Sequence, residues 1–222
     1  MPQILKVDPR DEGDLARAVA TIRAVLDKSG VIAFPTDTFY GLGADPSDEE
    51  ALSRIFLAKG RPEGKPLLVL VTSTKQARTL AETLPPVAEK LIPVFWPGPL
   101  TLVFKARESL PERLTAGTGT IGLRQPGNDF TLRLLQALGR PLTATSANPS
   151  GQPSPVTAEQ AATLLGDGVD LIVDAGPTPG GRESTLLDVT VSPPRLLREG
   201  AVSRKRIEDA LGFSLAAAGS AA

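Results

Sequence analysis

Two short stretches carry residue types that could bind a small polar ligand. Residues 35–43, PTDTFYGLG, follow an apolar run and offer hydroxyl groups and two glycines. Residues 59–67, KGRPEGKPL, end a helical segment and lead into the next apolar run. Loops at the ends of buried strands often carry function, because a rigid sheet holds them in place. We therefore predict a pocket for a polar molecule beside a phosphate. The cations of the second stretch are Lys59, Arg61 and Lys65.

The three cations also have a simpler interpretation, as solvated charges that complement the dipole at a helix end. That explains Lys59 but not Arg61 and Lys65, which lie beyond the helix among prolines and glycines. The stretch is not a P-loop, because Lys65 precedes Pro66 and a strand, whereas a P-loop lysine precedes Ser or Thr and a helix. Residues 180–185, GGREST, are a weaker candidate for an anion-binding nest.

Further polar residues stand where other apolar runs end. Ser146 and Asn148 follow a buried run, and alone they indicate a turn in which both side chains bond their own backbone. The same alternative applies to Thr38. Arg124 and Arg198 each end a predicted strand, where a single arginine is usually a surface residue. Because several strand ends carry such groups, a shared ligand site at one sheet edge is predicted.

Composition excludes several kinds of chemistry. The 222 residues include no cysteine and no histidine, so disulfides, thiolate metal sites, Ser-His triads and imidazole catalysis are ruled out. The net charge is -1, which does not indicate a generally basic surface for nucleic acid. The start of the chain does not predict a signal peptide, and no apolar run approaches membrane-spanning length. We expect a cytoplasmic protein whose catalysis relies on charge, positioning, hydroxyls, carboxylates or a metal held by oxygen ligands.

Apolar spacing predicts alternating helices and strands, hence a mixed α/β fold with one mixed parallel and antiparallel sheet. We expect one domain over residues 1–212 and a flexible Ala-rich tail over 213–222, with residues 41–43 in a loop. The predicted helices are 11–28 (closed by Gly30), 48–58, 74–84, 87–95, 129–138, 157–165 and 203–211, with one turn at 112–116. The predicted strands are 31–34, 67–71, 100–104, 120–124, 142–145, 171–173, 184–189 and 195–198.

Taken together, four motifs resemble the YrdC/Sua5 family of L-threonylcarbamoyladenylate synthases. Each motif is weak alone, but four in the same order at compatible spacing are specific, and the resemblance runs from about residue 15 to Arg198, nearly the whole chain. The motifs are PTDTFYGLG at 35–43, KGRP with Pro66-Leu67 from 59, WPGPLT at 96–101 and TSANPSG at 145–151.

The resemblance implies a YrdC-like single domain, in which a twisted open mixed sheet with flanking helices surrounds a concave basic cleft. It implies roles for residues at matching positions, with Lys59 and Arg61 as the catalytic cations. ATP contacts are implied at Arg61, Lys65, Thr120, Ser146, Asn148, Ser154 and Arg198. Threonine contacts are implied at Thr38, Arg124, Ala144 and Ser184.

Two positions depart from the longer Sua5-type members. Leu70 stands where those members have a histidine, so that threonine contact is absent or replaced. Lys65 stands where they have an asparagine, so it would bind phosphate by charge. Little sequence follows Leu211, so the chain resembles the short form without a second domain.

The implied reaction joins L-threonine, bicarbonate or CO2, and ATP, and gives threonylcarbamoyl-AMP and pyrophosphate. By the same resemblance, Mg2+ bridges the phosphates without a protein metal site, and a separate transferase uses the product to modify adenosine 37 of tRNA. Negative charge builds on the phosphate oxygens during this reaction, so the protein must position the reactants and stabilise that charge. Arg124 would pair with the threonine carboxylate. Replacing Arg61 with alanine is expected to abolish product without unfolding the protein.

Two other functions remain open from the sequence. The cleft could bind double-stranded RNA or tRNA, strongly or weakly, in which case binding should fall steeply with salt. The chain could instead be a paralogue that adenylates another carbamate, which threonine dependence of pyrophosphate release would separate. Composition alone makes residues 176–183 a candidate lid.

Overall fold

The computed structural model describes residues 2–60 and 66–216, and within these ranges the chain forms eight α-helices and eleven strands. A 3-10 turn, Gly166–Gly168, follows the seventh helix. The helices are α1 Glu12–Leu26, α2 Glu49–Lys59, α3 Thr74–Leu80, α4 Pro86–Phe95, α5 Glu112–Thr115, α6 Asp129–Leu138, α7 Ala158–Leu165 and α8 Arg204–Leu211. The strands are β1 Gln3–Lys6, β2 Ile32–Phe34, β3 Gly41–Gly43, β4 Leu68–Leu70, β5 Leu100–Lys105, β6 Thr120–Arg124, β7 Leu142–Thr143, β8 Thr145–Ser146, β9 Leu171–Asp174, β10 Thr185–Asp188 and β11 Arg195–Arg198.

Local capping explains where α2 begins and ends. The Asp48 side chain accepts a hydrogen bond from the Ala51 backbone N–H, which satisfies one of the unpaired donors of the first turn. Gly60 ends the helix in the left-handed conformation, with φ of 54°, which glycine adopts without steric cost. The last helical residue is therefore Lys59.

The strands form two mixed sheets. One has the order β1-β9-β2-β3-β8, and the other has the order β11-β10-β5-β6-β4-β7. The predicted mixed α/β fold is confirmed, but the prediction of one sheet was wrong. The predicted strand 142–145 is divided at Ala144, because β7 pairs with β4 while β8 pairs with β3 of the other sheet. The chain thus crosses between the sheets at this residue.

Residues 41–43 are a buried strand, which corrects the loop prediction. β3 runs antiparallel to β2, with Gly41 opposite Phe34 and Gly43 opposite Ile32. A Cβ added at Gly43 would lie 2.6 Å from Phe34 Cε1. The glycine is therefore required by the packing of its own neighbouring strand and not by a ligand.

Two predicted helix ends and one missed strand also need correction. α3 stops at Leu80 because the Glu82 backbone N–H bonds Lys105 O, which draws the chain to the edge of β5. Asp27 caps α1, and the left-handed residue is Ser29, with φ of 55°, and not Gly30. The missed strand is β1, whose residues are mostly exposed, so its sequence shows no strong apolar pattern.

The core has two buried clusters. The larger one packs α2, α4 and α8 against the sheets, and Leu215 belongs to it with 4% exposure. The smaller one joins α1 and α6 to β2 and contains the fully buried Leu70. The predicted flexible tail begins too early, because Ala216 forms a bridge with Arg195 and its N–H bonds Pro194 O.

In the part of the chain that the structure describes, no helix combines the length and the apolar character needed to cross a membrane.

Candidate active site

A cavity of about 780 Å³ is bordered by strands of both sheets and by the loops at their ends. Every predicted site residue that the structure describes lines it: Thr38, Lys59, Thr120, Arg124, Ala144, Ser146, Asn148, Ser154, Ser184 and Arg198. The two other predicted residues, Arg61 and Lys65, lie outside the described residues. The structure thus brings together side chains separated by up to 160 positions, while their individual roles stay predictions.

The turn after β2 is held by its own hydroxyl groups. Thr36 Oγ1 donates to Phe39 O at 2.7 Å and accepts from the Thr38 backbone N–H at 3.2 Å. Thr38 Oγ1 lies 3.2 Å from Thr36 Oγ1. Both threonines are buried. The turn predicted as an alternative is therefore present, and both of its threonines line the cavity.

Arg124, the last residue of β6, is almost completely buried at one wall of the cavity. Its Nη1 donates to Asp37 Oδ1 at 2.7 Å, and the two side chains are 2% and 12% exposed. Arg124 Nε and Asp37 Oδ2 are buried without a hydrogen-bond partner among the described residues. Burial lowers the pKa of Arg124, and Asp37 opposes that effect. An arginine remains charged under these conditions.

Lys59 reaches from the end of α2 across to the turn at 146–148. Its Nζ donates to Ser146 O at 2.6 Å and to Asn148 O at 2.9 Å, and it lies 3.4 Å from Ser146 Oγ. The Ser150 backbone N–H bonds Lys59 O at 2.8 Å. Lys59 is 4% exposed. It therefore braces this turn, in addition to placing a positive charge in the cavity wall.

The Asn148 side chain is used within its own loop. Its Nδ2 donates to Gln152 O at 2.6 Å and to Pro149 O at 3.1 Å. Its Oδ1 is buried without a partner among the described residues. This geometry favours the turn interpretation of Asn148 over direct contact between its amide NH2 and a ligand.

Arg198, on the edge strand β11, lies at the cavity mouth. Its Nε and Nη2 donate to Ser184 O at 3.2 and 3.0 Å, and its Nη1 contacts the Glu183 carboxylate. Ser184 Oγ and Thr101 Oγ1 lie 2.9 Å apart and share a hydrogen bond. Arg198 and Glu183 are 45% and 43% exposed, so water screens this pair.

The segment predicted as a candidate lid is tied to the turn after β2. Tyr40 Oη donates to Gly176 O at 2.7 Å, and the Gly180 N–H bonds Thr38 O at 2.8 Å. Burial raises the pKa of Tyr40, and the nearby Asp174 and Glu159 raise it further. The phenol therefore stays protonated and keeps donating at neutral pH.

Leu70 does not line the cavity, since its side chain packs in the smaller core cluster. Thr120 does line it and shares a 2.8 Å hydrogen bond with Thr118. Sequence reasoning missed three residues that shape the site: Asp37, Thr101 and Glu183. Asp37 and Thr101 lie inside the motifs at 35–43 and 96–101, but only the fold shows their partners.

The charges in the cavity suit an anionic ligand. Among the described lining residues, the charged groups are Lys59, Arg124, Arg198 and Glu183. A guanidinium can bind a carboxylate or a phosphate through two parallel hydrogen bonds. Hydroxyl groups line the same cavity, and its volume is typical of a small-molecule site.

Comparisons with known proteins agree with this geometry. The Sua5/YciO/YrdC family model, described as "Telomere recombination", matches residues 24–200. The chain is 44% identical over 182 residues to the threonylcarbamoyl-AMP synthase of Pyrococcus abyssi, covering 82% of this chain and 54% of that protein. It is 40% identical over 209 residues to a putative threonylcarbamoyl-AMP synthase of Mycobacterium tuberculosis, covering 94% and 96%.

Among solved structures, the chain is similar to P. abyssi Sua5 complexed with L-threonine. The TM-score is 0.88 at 40% identity, covering 96% of this chain and 62% of that one. The chain thus spans little more than half the length of the P. abyssi relative but nearly all of the mycobacterial one.

Proposed function

The chain belongs to the Sua5/YciO/YrdC family, and from this premise we propose that it is an L-threonylcarbamoyladenylate synthase. It joins L-threonine, bicarbonate or CO2, and ATP to form threonylcarbamoyl-AMP and pyrophosphate. The observation that carries the proposal is the placement of Arg124 beside the Thr36–Thr38 turn in the same cavity as Arg198. One end of the cavity fits an amino-acid carboxylate, and the other fits a phosphate.

The amino acid is held by the buried end of the cavity. Arg124 pairs with its carboxylate, and the Thr38 and Ser184 hydroxyls bind its polar groups. The backbone at Ala144 lies where the chain crosses between the sheets and also lines this region. The relative named as complexed with L-threonine supports this assignment.

The nucleotide occupies the remainder of the cavity, towards the mouth. Arg198 and Lys59 neutralise phosphate charge, and Ser146, Ser154 and Thr120 lie along the wall. Arg61 and Lys65 are assigned to the same task by the sequence resemblance. Mg2+ would enter with ATP, and the phosphate oxygens would supply the hard oxygen ligands that this ion prefers.

The chemistry needs no imidazole. The neutral threonine amine forms an N–C bond to CO2 as one C–O π bond opens, and it releases one proton to solvent, which gives a carbamate. When bicarbonate is the source, a C–O bond of bicarbonate breaks and the amine proton leaves with its OH as water. A carbamate oxygen then bonds the α-phosphorus of ATP, and the bond to pyrophosphate breaks. The protein contributes by holding the reacting atoms in line and by stabilising charge on the phosphate oxygens. Arg198 and Lys59 are the described cations placed for that task.

The product has its use in tRNA modification. A separate transferase would move the threonylcarbamoyl group to adenosine 37 of tRNAs, where it becomes N6-threonylcarbamoyladenosine. This protein hands over a reactive adenylate, and any contact of its own with RNA would be weak, since the net charge is -1. Its expected location is the cytoplasm.

The test is pyrophosphate release from ATP, Mg2+ and bicarbonate, with and without L-threonine, with the adenylate identified by mass. We expect release that depends on threonine and a mass corresponding to threonylcarbamoyl-AMP. Release that another amino acid supports better than threonine would indicate a paralogue with a different substrate. Tight, strongly salt-dependent binding of tRNA without any adenylate would support the RNA-binding alternative instead.

A further inference from the structure

The buried carboxylate behind Arg124 has no role in the function proposed so far. Asp37 does not line the cavity, yet its Oδ1 lies 2.7 Å from Arg124 Nη1 and its side chain is only 12% exposed. We propose that Asp37 is a positioning and specificity residue, which orients Arg124 and restricts the amino-acid end of the cavity to zwitterions. This inference rests on the proposed function, since it concerns the substrate class of the same site.

The role of Asp37 in orienting Arg124 follows from the contacts on both sides of Asp37. On one side, the Thr36–Thr38 turn fixes the backbone that carries it. On the other side, its Oδ2 lies so close to Gly127 that an added Cβ would be 3.3 Å away. The same added Cβ would lie 3.2 Å from Gly98 Cα, so there is little free space beside Asp37 Oδ2. The turn and this close packing therefore limit the movement of Asp37, whose Oδ1 accepts the hydrogen bond from Arg124 Nη1.

A guanidinium held in this way has one edge left for a ligand. Nη1 is occupied by Asp37, and Nε is buried without a partner among the described residues. Nη2 makes no hydrogen bond to a described residue, and Arg124 lines the cavity. A carboxylate that enters must approach this edge, so Asp37 determines where the substrate's backbone lies. A one-ångström displacement of a reacting group can cost about a hundredfold in rate.

The preference for zwitterions follows from the charges of the Asp37–Arg124 pair. Together Asp37 and Arg124 carry no net charge, so a simple monoanion gains less from Arg124 than it would without Asp37. A zwitterion brings an ammonium group that Asp37 attracts. At a separation of several ångströms near a protein surface, one such charge interaction changes binding by about tenfold or more. The pair thereby favours an amino acid over the 2-hydroxy acid of the same shape.

The experiment compares two ligands that differ in this one charge, L-threonine and 2,3-dihydroxybutanoate. Their dissociation constants are measured by calorimetry on the wild-type protein and on Asp37→Asn, which keeps the volume and removes the charge. We expect the preference for threonine over the hydroxy acid to fall about tenfold in the variant. In turnover, KM for threonine should rise while KM for ATP stays within twofold. A folded variant with an unchanged preference would overturn the inference.

A second variant separates orientation from charge and remains informative if Asp37→Asn does not fold. The Cβ of Gly127→Ala would lie 3.3 Å from Asp37 Oδ2 and 3.2 Å from Gly98 Cα, so it crowds Asp37 and the Gly98 backbone and leaves every charge in place. It should weaken threonine binding several-fold and leave the preference between the two ligands unchanged. Threonine affinity equal to the wild type would contradict the positioning role. A rise in both KM values would indicate a merely structural role.

Asp170→Asn is the matched control. Asp170 also pairs with an arginine, Arg54, at 2.8 Å, but it does not line the cavity. This control should leave both dissociation constants and both KM values unchanged. If the wild-type protein makes threonylcarbamoyl-AMP and Asp37→Asn keeps the wild-type preference for threonine, this inference alone is wrong. If the wild-type protein neither binds threonine nor makes the product, the proposed function is wrong as well.

Discussion

The cavity contains two arginine–carboxylate pairs that differ mainly in their contact with water. Arg124 and Asp37 are 2% and 12% exposed, whereas Arg198 and Glu183 are 45% and 43% exposed. Breaking a buried pair leaves an unpaired charge in a poorly solvated place and is strongly destabilising. An exposed pair is screened by water and salt and contributes little. The same two chemical groups are thus permanent at one end of the cavity and exchangeable at the other.

This difference matches what each end must do. Under the proposed function, Arg124 binds the amino acid and discriminates between small ligands, so it must not move. Under the same proposal, Arg198 meets the large, highly charged nucleotide and can exchange the Glu183 carboxylate for a phosphate oxygen because little is lost. The Arg198 guanidinium itself stays in place, since its Nε and Nη2 remain bonded to Ser184 O. The comparison predicts that substitutions at the buried pair change the kinetics strongly, whereas substitutions at the exposed pair change ligand binding only slightly.

The largest effect is expected for Arg124→Lys. A lysine keeps the charge but has no planar fork, so it cannot hold Asp37 and a substrate carboxylate at once. We expect kcat/KM for threonine to fall by at least about a hundredfold, with ATP binding retained. Steady-state kinetics and nucleotide titration measure the two quantities. Arg54→Lys, at the remote pair with Asp170, should be kinetically silent, and a folded Arg124→Lys with normal threonine kinetics would falsify the carboxylate assignment.

A smaller effect is expected for Lys59→Met, which tests a third cation of the cavity, one that bonds backbone carbonyl groups. Nζ bonds the carbonyl oxygens of Ser146 and Asn148, so its loss leaves two acceptors of the turn without this donor. We expect the free energy of unfolding to fall by about 2 kcal/mol and kcat/KM for ATP to fall about tenfold. Denaturant melts and kinetics check both. The fully exposed Lys205→Met is the control, and it should match the wild type in both.

Much of the site could be predicted because strand ends and turns leave local signals. Ser146 and Asn148 follow an apolar run, and Arg124 ends one, so a shared site at strand ends could be predicted. The prediction placed it at one sheet edge, whereas β8 and β6 belong to different sheets and the cavity lies between them. Capping residues such as Asp48 predicted helix starts for the same local reason.

The rest of the site and of the fold depends on contacts between residues that are far apart in the sequence. Asp37 and Arg124 are 87 residues apart, and only the register of the sheets brings them together. The division at Ala144 was invisible because β7 and β8 have two residues each, which is too short for a period to show. Gly41 and Gly43 indicated a loop by composition, whereas close packing against Phe34 is what requires a glycine in β3. Lys59 illustrates the same limit, since its helix position was predictable and its carbonyl partners were not.

Glu183→Gln should have a modest effect in the opposite direction. Removing the carboxylate charge frees Arg198 for phosphate, so the dissociation constant for ATP should decrease about threefold, with threonine affinity unchanged. The difference from the wild type should shrink as salt rises, because exposed charges are screened. Nucleotide titrations at low and high salt measure this. Glu89→Gln, at the exposed pair with Arg78, serves as the control, and weaker ATP binding by Glu183→Gln would show that Glu183 assists binding.

The smallest effect is expected for Tyr40→Phe, which loosens the loop that carries Glu183 without touching either pair. Tyr40 Oη donates to Gly176 O at 2.7 Å, so the variant should lose about 1 kcal/mol of unfolding free energy at neutral pH. Burial raises the pKa of Tyr40 above its unfolded value of about 10. The folded protein therefore keeps this proton more tightly than the unfolded chain does, so the contribution is complete below pH 10 and declines as the pH rises further. Chemical denaturation from pH 7 to 11 should show the wild type losing its advantage over Tyr40→Phe only at the alkaline end. A difference between the two proteins that stays constant across this range would mean that the phenol is not held in the buried hydrogen bond. The loop would then be anchored by its other contacts, which include Gly180 N–H to Thr38 O and Thr178 N–H to Val156 O.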